Sequence, residues 1–318
     1  MDIALHYKDV CLLPEYSELK TRKQADASVE FLGFKFRLPV VPSNMVCVVD
    51  EERSEWLSEH DYFYVMHRFG VDNYEFVKKT QRWKLSSISV GVQEADKECL
   101  LRMKSDRFYP DFITIDIAHG DSILMKEMIE FIKSLGFTSK VIAGNVCGVD
   151  GYRRLKLWGA DAVKVGIGGG SACSTKNKTG FTLPMYSCLQ DITSSEHYDR
   201  SVPVIADGGI REHADIVKAI HAGALMVMAG GIFSRCIDSP AEVVDGHKVY
   251  FGSASQYNKG EYRNVEGVKR TLQLDTMTYE DKLLEIEQDL QSAISYSGGK
   301  NLLDIRNTQA RRVTHWEV

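Results

Sequence analysis

The sequence predicts an α/β fold: a closed (β/α)8 TIM barrel carrying an N-terminal arm and an extra C-terminal helix. Three observations predict it. Eight short runs rich in apolar, β-branched and aromatic residues recur roughly every 25 residues, a spacing that leaves room for a helix between parallel strands. The segments between them carry helical periodicity. The residues capable of chemistry fall just after the runs, at the end where a barrel carries its active site. An open doubly wound sheet is the competing arrangement. It asks for a dinucleotide fingerprint after an early strand, and none is present.

In order, the runs are 38–42, 62–66, 87–91, 112–116, 140–144, 162–166, 202–206 and 224–228. Between the fourth and fifth, 122–135 places Leu124, Met128, Ile129, Ile132 and Leu135 on one helical face. Between the seventh and eighth, 212–222 places Ile216, Val217 and Ile220 likewise. The gap after the sixth run is the widest, so the loop there is long. The second-to-third connection is of ordinary βα length, about 20 residues, so residues 1–318 read as one catalytic barrel with no inserted regulatory domain. Beyond the eighth unit, 279–294 carries Leu283, Ile286, Leu290 and Ile294 on one face. Such a stripe outside a closed barrel needs a surface to cover, which predicts a homo-oligomer.

Composition narrows the class. The net charge of −5 offers nothing to nucleic acid or to an anionic membrane. There is no run of 18 apolar residues and no basic-then-apolar start, so neither a span nor secretion is expected. Seven scattered cysteines without a Cys-x-x-Cys pair suit free thiols in a reducing cytoplasm rather than a disulfide framework or a zinc site.

The most telling stretch is Gly166-Ile-Gly-Gly-Gly-Ser-Ala-Cys173-Ser-Thr175-Lys176. Glycines let the backbone turn sharply and lie against a ligand. Cys173 then has a hydroxyl two residues on and a cation three residues on. One reading is a catalytic thiol; the other is a plain strand-to-helix turn with an incidental cysteine. Asp207-Gly208-Gly209 and Gly230-Gly231 end the seventh and eighth runs, where barrels often seat phosphate. They also serve as tight turns, but two in adjacent units favour a phosphorylated ligand. Asp207 itself would accept hydrogen bonds from ribose hydroxyls, since a carboxylate repels phosphate. His67 and His119 read as structural, and Cys47, Cys147 and Cys188 as core or turn residues.

Taken with Tyr250-Phe-Gly-Ser-Ala-Ser255, Tyr62-Phe-Tyr-Val-Met-His-Arg68, Ile113-Thr-Ile-Asp-Ile-Ala-His-Gly120 and Glu287-Gln-Asp-Leu-Gln-Ser292, these motifs resemble the IMP dehydrogenase/GMP reductase family. The resemblance runs from Tyr7 to Gly299 and is nearest to the reductase branch of low-GC Gram-positive bacteria. It implies NADPH-dependent reductive deamination of GMP to IMP and ammonia, in purine salvage. Cys173 matches the nucleophile that attacks purine carbon 2. Thr175 and Glu266 match the family's proton-transfer pair; the plainer reading of Glu266 is a solvated loop charge.

The resemblance assigns further residues. Substrate positions are Asp207, Gly208, Gly209, Gly230, Gly231, Gly252, Ser253, Ala254, Arg263 and Gly267. Cofactor positions are Thr21, Arg22, Arg68, Asp116, Ile117, Ala118, Ile167 and Gly168. Arg22 could pair with a 2′-phosphate and favour NADPH. Ser292, Ala293, Ile294 and Ser295 would serve a neighbouring subunit's cofactor site within a homotetramer. The carbonyls of Gly168, Gly170 and Cys173 resemble a monovalent-cation (K⁺) site. Gly169 stands where relatives have proline, so this loop is less rigid; Lys176 replaces the arginine of many relatives. A dehydrogenase would need a long flap with an arginine–tyrosine pair; 252–266 is too short for one, although it holds Tyr257, Tyr262 and Arg263. A nucleotide-binding barrel without catalysis is the remaining alternative, against which the intact Cys173, Thr175 and Glu266 speak.

Overall fold

The computed structural model describes residues 3–260, 263 and 265–313. Its centre is a parallel sheet of seven strands. In spatial order they are Val40–Pro42, Met226–Ala229, Val204–Asp207, Ala162–Val165, Lys140–Val146, Phe112–Asp116 and Ser87–Val90. These are the first, eighth, seventh, sixth, fifth, fourth and third barrel positions, a curled α/β sheet of the TIM-barrel kind. Helices cover its outer face, so the strands are buried at nearly every position and read as continuous apolar runs.

The second position differs from the expectation of a full strand. Residues 62–66 are buried, yet they join the sheet at a single bridge, Met66 to Ile88. Met66 N–H donates to Ser87 O at 3.1 Å and Ser89 N–H to Met66 O at 3.0 Å. Below that bridge the Tyr64 phenol takes the ladder's place. Its hydroxyl donates to Leu85 O at 2.9 Å and accepts from Ser87 N–H at 3.3 Å. A side chain thus satisfies the edge groups that a neighbouring backbone would have used.

The helices follow their sequence signals. Ser122 caps Ile123–Ser134, accepting from Met125 N–H at 3.4 Å, and the helix buries Met125, Met128, Ile129 and Ile132. Leu124, expected on that face, is exposed instead. Glu212 and Asp215 form a capping box on His213–His221. Among the described residues no helix is long and apolar enough to cross a membrane.

The N-terminal end of the barrel is plugged. Part of the arm is a hairpin, Val29–Phe31 with Phe34–Phe36, turning through Leu32 and Gly33, both at positive φ. Phe31, Phe34 and Phe63 surround Phe112, the first residue of the fourth strand, at ring-centre distances of 5.9, 5.0 and 4.8 Å. The rest of the arm ties the termini together: Val10–Leu12 pairs antiparallel with Ala310–Arg312.

The C-terminal helix, Tyr279–Tyr296, forms as expected. Its stripe of Leu283, Ile286, Leu290 and Ile294 is fully buried within this chain, where the helix packs on His213–His221 and the turn Leu302–Asn307. The stripe therefore needs no neighbour, and that argument for an oligomer falls. An antiparallel sheet, Val243–Val244, His247–Phe251 and Lys269–Gln273, follows the eighth unit; its last two strands bracket 252–268.

Candidate active site

The long loop after the sixth strand carries Cys173 and is held on two sides. On one side it is stitched to the segment between the antiparallel strands. Ser174 N–H donates to Glu266 O at 2.8 Å and Val268 N–H to Ala172 O at 2.9 Å; within the segment itself, Glu266 N–H donates to Ala254 O at 3.0 Å. A Cβ on Gly267 would lie 2.6 Å from Ser255 N, and one on Gly252 2.8 Å from Ala172 O. These glycines are therefore close-approach positions. On the other side lies the Asp207-Gly208-Gly209 turn. Gly208 sits at φ +104°, and a Cβ there would meet Gly170 N at 2.9 Å.

This stitching builds a short relay. The Cys173 thiol donates to Thr175 Oγ1 at 3.2 Å, and Thr175 Oγ1 donates to Glu266 Oε2 at 2.6 Å. Residues 91 positions apart in sequence thus share one hydrogen-bonded line. All three side chains are half-buried, open enough for a ligand and dry enough to strengthen the bonds. Glu266 is no solvated loop charge. Nearby, Lys178 Nζ donates to Val265 O and ties the same two segments.

A second cluster lies at the strand ends, and it contains a residue that the sequence reading passed over. Lys164, third in the sixth strand, is 3% exposed. Its ammonium bonds Asp116 Oδ1 at 2.7 Å and Asp207 Oδ2 at 2.6 Å, the last residues of the fourth and seventh strands. Burial alone would drive Lys164 toward its neutral form; the two carboxylates outweigh it and hold its pKa above lysine's ordinary value. Asp116 shows the counterpart. Burial pushes its carboxyl up, but Lys164, Asn44 and Arg68 together pull it below the ordinary range. Asn145 Nδ2 bonds both Gly166 O at 2.7 Å and Asp207 Oδ2 at 2.9 Å, which joins this cluster to the cysteine loop. Asp207 Oδ1 has no hydrogen bond among the described residues and remains an acceptor.

The sequence profile of the IMP dehydrogenase / GMP reductase domain matches residues 4–316. The chain belongs to the IMP dehydrogenase/GMP reductase family. It is 47% identical over 311 residues to the GMP reductase of Acidovorax ebreus, covering 94% of this chain and 93% of that protein. It is 46% identical over 308 residues to the GMP reductase of Staphylococcus carnosus, with the same coverage. The GMP reductase of Staphylococcus epidermidis is 47% identical over 306 residues, again at 94% and 93%.

The remaining family positions sort into three places. Gly230 and Gly231 end the eighth strand, and a Cβ on Gly230 would collide with the Tyr250 hydroxyl at 2.5 Å. Beside Gly231 and Ser171 opens a cavity of about 900 Å³, lined also by Arg211, Arg235 and Arg270. Ser253 O accepts from Asn258 Nδ2 at 2.9 Å; Arg263 is exposed. Around the mouth, Arg68 stacks on Phe69 at 4.7 Å and Ile117 N–H donates to Gly144 O at 3.1 Å. Ala118 is exposed there, and Ile167 O accepts from Thr182 Oγ1 at 2.7 Å. The third place is the outer helix, where Arg22 donates to Ser292 Oγ at 3.1 Å and Ser295 lies 3.4 Å from Ser17. Arg22 and Ser292 come together, but neither is bonded to the Cys173 loop. Thr21 is exposed beside them; Ala293 is half-buried and Ile294 buried. Of the carbonyls expected to hold a cation, Gly170 O accepts Cys173 N–H at 3.1 Å. Tyr262 lies outside the described residues.

Proposed function

We propose that this chain is an NADPH-dependent GMP reductase, converting GMP to IMP and ammonia in purine interconversion. One observation carries the reading: the line Cys173–Thr175–Glu266, which couples a nucleophile to a proton store.

The chemistry follows from that line. Cys173 passes its proton through Thr175 to Glu266, and the thiolate adds to purine carbon 2. The same proton returns through Thr175 to the exocyclic amine, which departs as ammonia and leaves a thioimidate on Cys173. Displacement of an amine by a thiol needs no other proton, so the relay closes on itself. When bound, NADPH would supply a hydride to carbon 2, and Cys173 would then leave as the thiolate to release IMP. Asp207 Oδ1 accepts from the ribose; the amides of Gly208, Gly209, Gly230 and Gly231 hold the phosphate, with Gly252, Ser253, Ala254, Arg263 and Gly267 completing the substrate side.

The residues present fit an anionic dinucleotide. Arg68 Nε is buried at the mouth with no hydrogen-bond partner among the described residues, a donor awaiting an acceptor. Arg68, Asp116, Ile117, Ala118, Ile167 and Gly168 would hold its nicotinamide end. Thr21, Arg22 and Ser292–Ser295 would serve a neighbour's cofactor within a homotetramer. Carbonyl oxygens of Gly168, Gly170 and Cys173, on a loop turned by Gly168 at φ +75°, suit a K⁺ ion.

The test is an assay with GMP and NADPH, followed at 340 nm with ammonia measured in parallel. Equal amounts of NADPH consumed and ammonia released are expected. Multiple-turnover formation of xanthosine monophosphate from IMP and NAD⁺ would reassign the chain as a dehydrogenase. GMP binding without any turnover would make it a sensor.

A further inference from the structure

The catalytic loop rests on a pair of thiols that the proposed reaction does not use. Cys147 follows the fifth strand, and Cys188 lies in the helix Met185–Thr193 just beyond the loop. Their sulfurs are 3.6 Å apart, 41 residues apart in sequence, and both are free. The two have different surroundings. Cys188 is fully buried, whereas Cys147 is half-buried. The Cys188 thiol hydrogen-bonds Cys147 sulfur, with the backbone amides of Leu183 and Ile167 also facing it, and together they hold the Cys147 thiol below its ordinary pKa against the opposing effect of burial. Those two amides belong to the start and end of the catalytic loop.

We propose that Cys147 and Cys188 are an oxidant-reactive dithiol that closes to a disulfide behind the catalytic loop when the protein meets a hydroperoxide. The steps balance. The Cys147 thiolate attacks the peroxide's terminal oxygen, the O–O bond breaks, and with one proton hydrogen peroxide yields a sulfenic acid and water. Cys188 sulfur then attacks the Cys147 sulfur, an S–S bond forms, and a second water leaves. Two thiols are oxidised by two electrons and one peroxide is reduced. A thiolate-prone, partly open cysteine beside a buried thiol has the order of reactivity this sequence needs.

The contact is already near bonding geometry. Sulfurs at 3.6 Å must approach by about 1.5 Å to reach the length of a disulfide. That movement draws the helix Met185–Thr193 toward the fifth-strand loop. Met185 lies directly under the loop: Cβ atoms on Gly166, Gly169 and Gly209 would each come within 3.3 Å of its side chain. The modification therefore acts on the floor of the loop that carries Cys173.

The test does not depend on the reductase reading, because its readout is covalent. The full chain carrying Cys173→Ala is treated with hydrogen peroxide, alkylated and digested with trypsin without reductant. Cys147 and Cys188 fall in separate peptides, residues 141–153 and 179–200. The expected product is these two peptides joined, two hydrogen masses below their sum, and separated again by dithiothreitol. Cys147→Ser in the same background should abolish it. Recovery of both cysteines as alkylated thiols, of Cys147 as a sulfinic acid, or of Cys147 joined to another cysteine would overturn the proposal.

Discussion

The fourth barrel strand runs between two ends built on opposite principles. It starts at Phe112, fully buried among Phe31, Phe34 and Phe63, and it finishes at Asp116, bonded to a buried ammonium. At the N-terminal end the rings around Phe112 contribute apolar area removed from water, which stabilises without regard to exact orientation. At the C-terminal end the groups are charged, hydrogen-bonded and set at glycine turns, where orientation decides whether chemistry occurs. Three residues, Ile113 to Ile115, separate the part of the strand that holds the barrel from the part placed at the candidate site. The contrast predicts that substitutions at the two ends fail differently.

The largest effect is expected at Cys173. Cys173→Ala should abolish turnover while GMP affinity stays within about tenfold, or 1.4 kcal/mol, because the phosphate and ribose contacts proposed above lie on other loops. Titration calorimetry beside the 340 nm assay separates the two. Substantial GMP reduction by the variant would break the proposed mechanism and the contrast with it.

The opposite pattern is expected at the plug. Phe112→Ala removes a ring packed on three others and should cost about 3–5 kcal/mol of stability. Thermal melts should show the loss, while kcat measured well below the new midpoint stays near wild type. If the folded variant instead lost kcat, the plug would be shaping the site.

Glu266→Gln comes next, with GMP reduction falling roughly 10²-fold, the usual scale for a lost acid–base group. The reverse hydride step, from IMP to NADP⁺, should fall less, because it needs the relay only to form the Cys173 thiolate and not to protonate a departing amine. Equal losses in both directions would mean that Glu266 serves only to stitch the two segments through its backbone.

The two ends also differ in how readily the sequence discloses them. The strands were legible because parallel strands buried on both faces read as apolar runs, and the long cysteine loop after the sixth strand because its glycines and cysteine crowd into one stretch. The Glu266 partnership was legible only through family resemblance, since 91 residues intervene. Lys164 was missed because one lysine in Ala-Val-Lys-Val does not disturb an apolar run. The usable signal was its pairing with Asp116 and Asp207, each closing a neighbouring or next-neighbouring strand. The hairpin plug carried a signal that went unused, since Phe31, Phe34 and Phe36 flank a Leu-Gly turn. The outer helix is legible as a helix, but its apolar stripe is covered within the chain and not left for a neighbour. A stripe's periodicity does not say which molecule covers it.

The smallest effect sets the two ends against each other on a single strand. Asp111 precedes it and Asp116 ends it. At the plugged end burial dominates: Asp111 accepts from Ser86 N–H at 2.8 Å, yet desolvation holds its carboxyl above the ordinary value. At the open end Lys164, with Asn44 and Arg68, overcomes desolvation and holds Asp116 below it. Stability changes with pH as the proton count of the unfolded state minus that of the native state. Between Asp116's folded pKa and the ordinary aspartate value near 3.9, the unfolded chain holds more protons, so Asp116 adds stability as pH rises, and that contribution is lost as pH falls through its folded pKa. Between the ordinary value and Asp111's raised one, the native state holds more protons, so Asp111 removes stability as pH rises. Chemical denaturation of Asp116→Asn and Asp111→Asn across the acid range should therefore give opposite trends. The deficit of Asp116→Asn relative to wild type should shrink as the solution is acidified below the ordinary value. For Asp111→Asn, stability relative to wild type should improve as pH rises above it. Parallel curves for the two variants would show that the strand's ends are electrostatically alike.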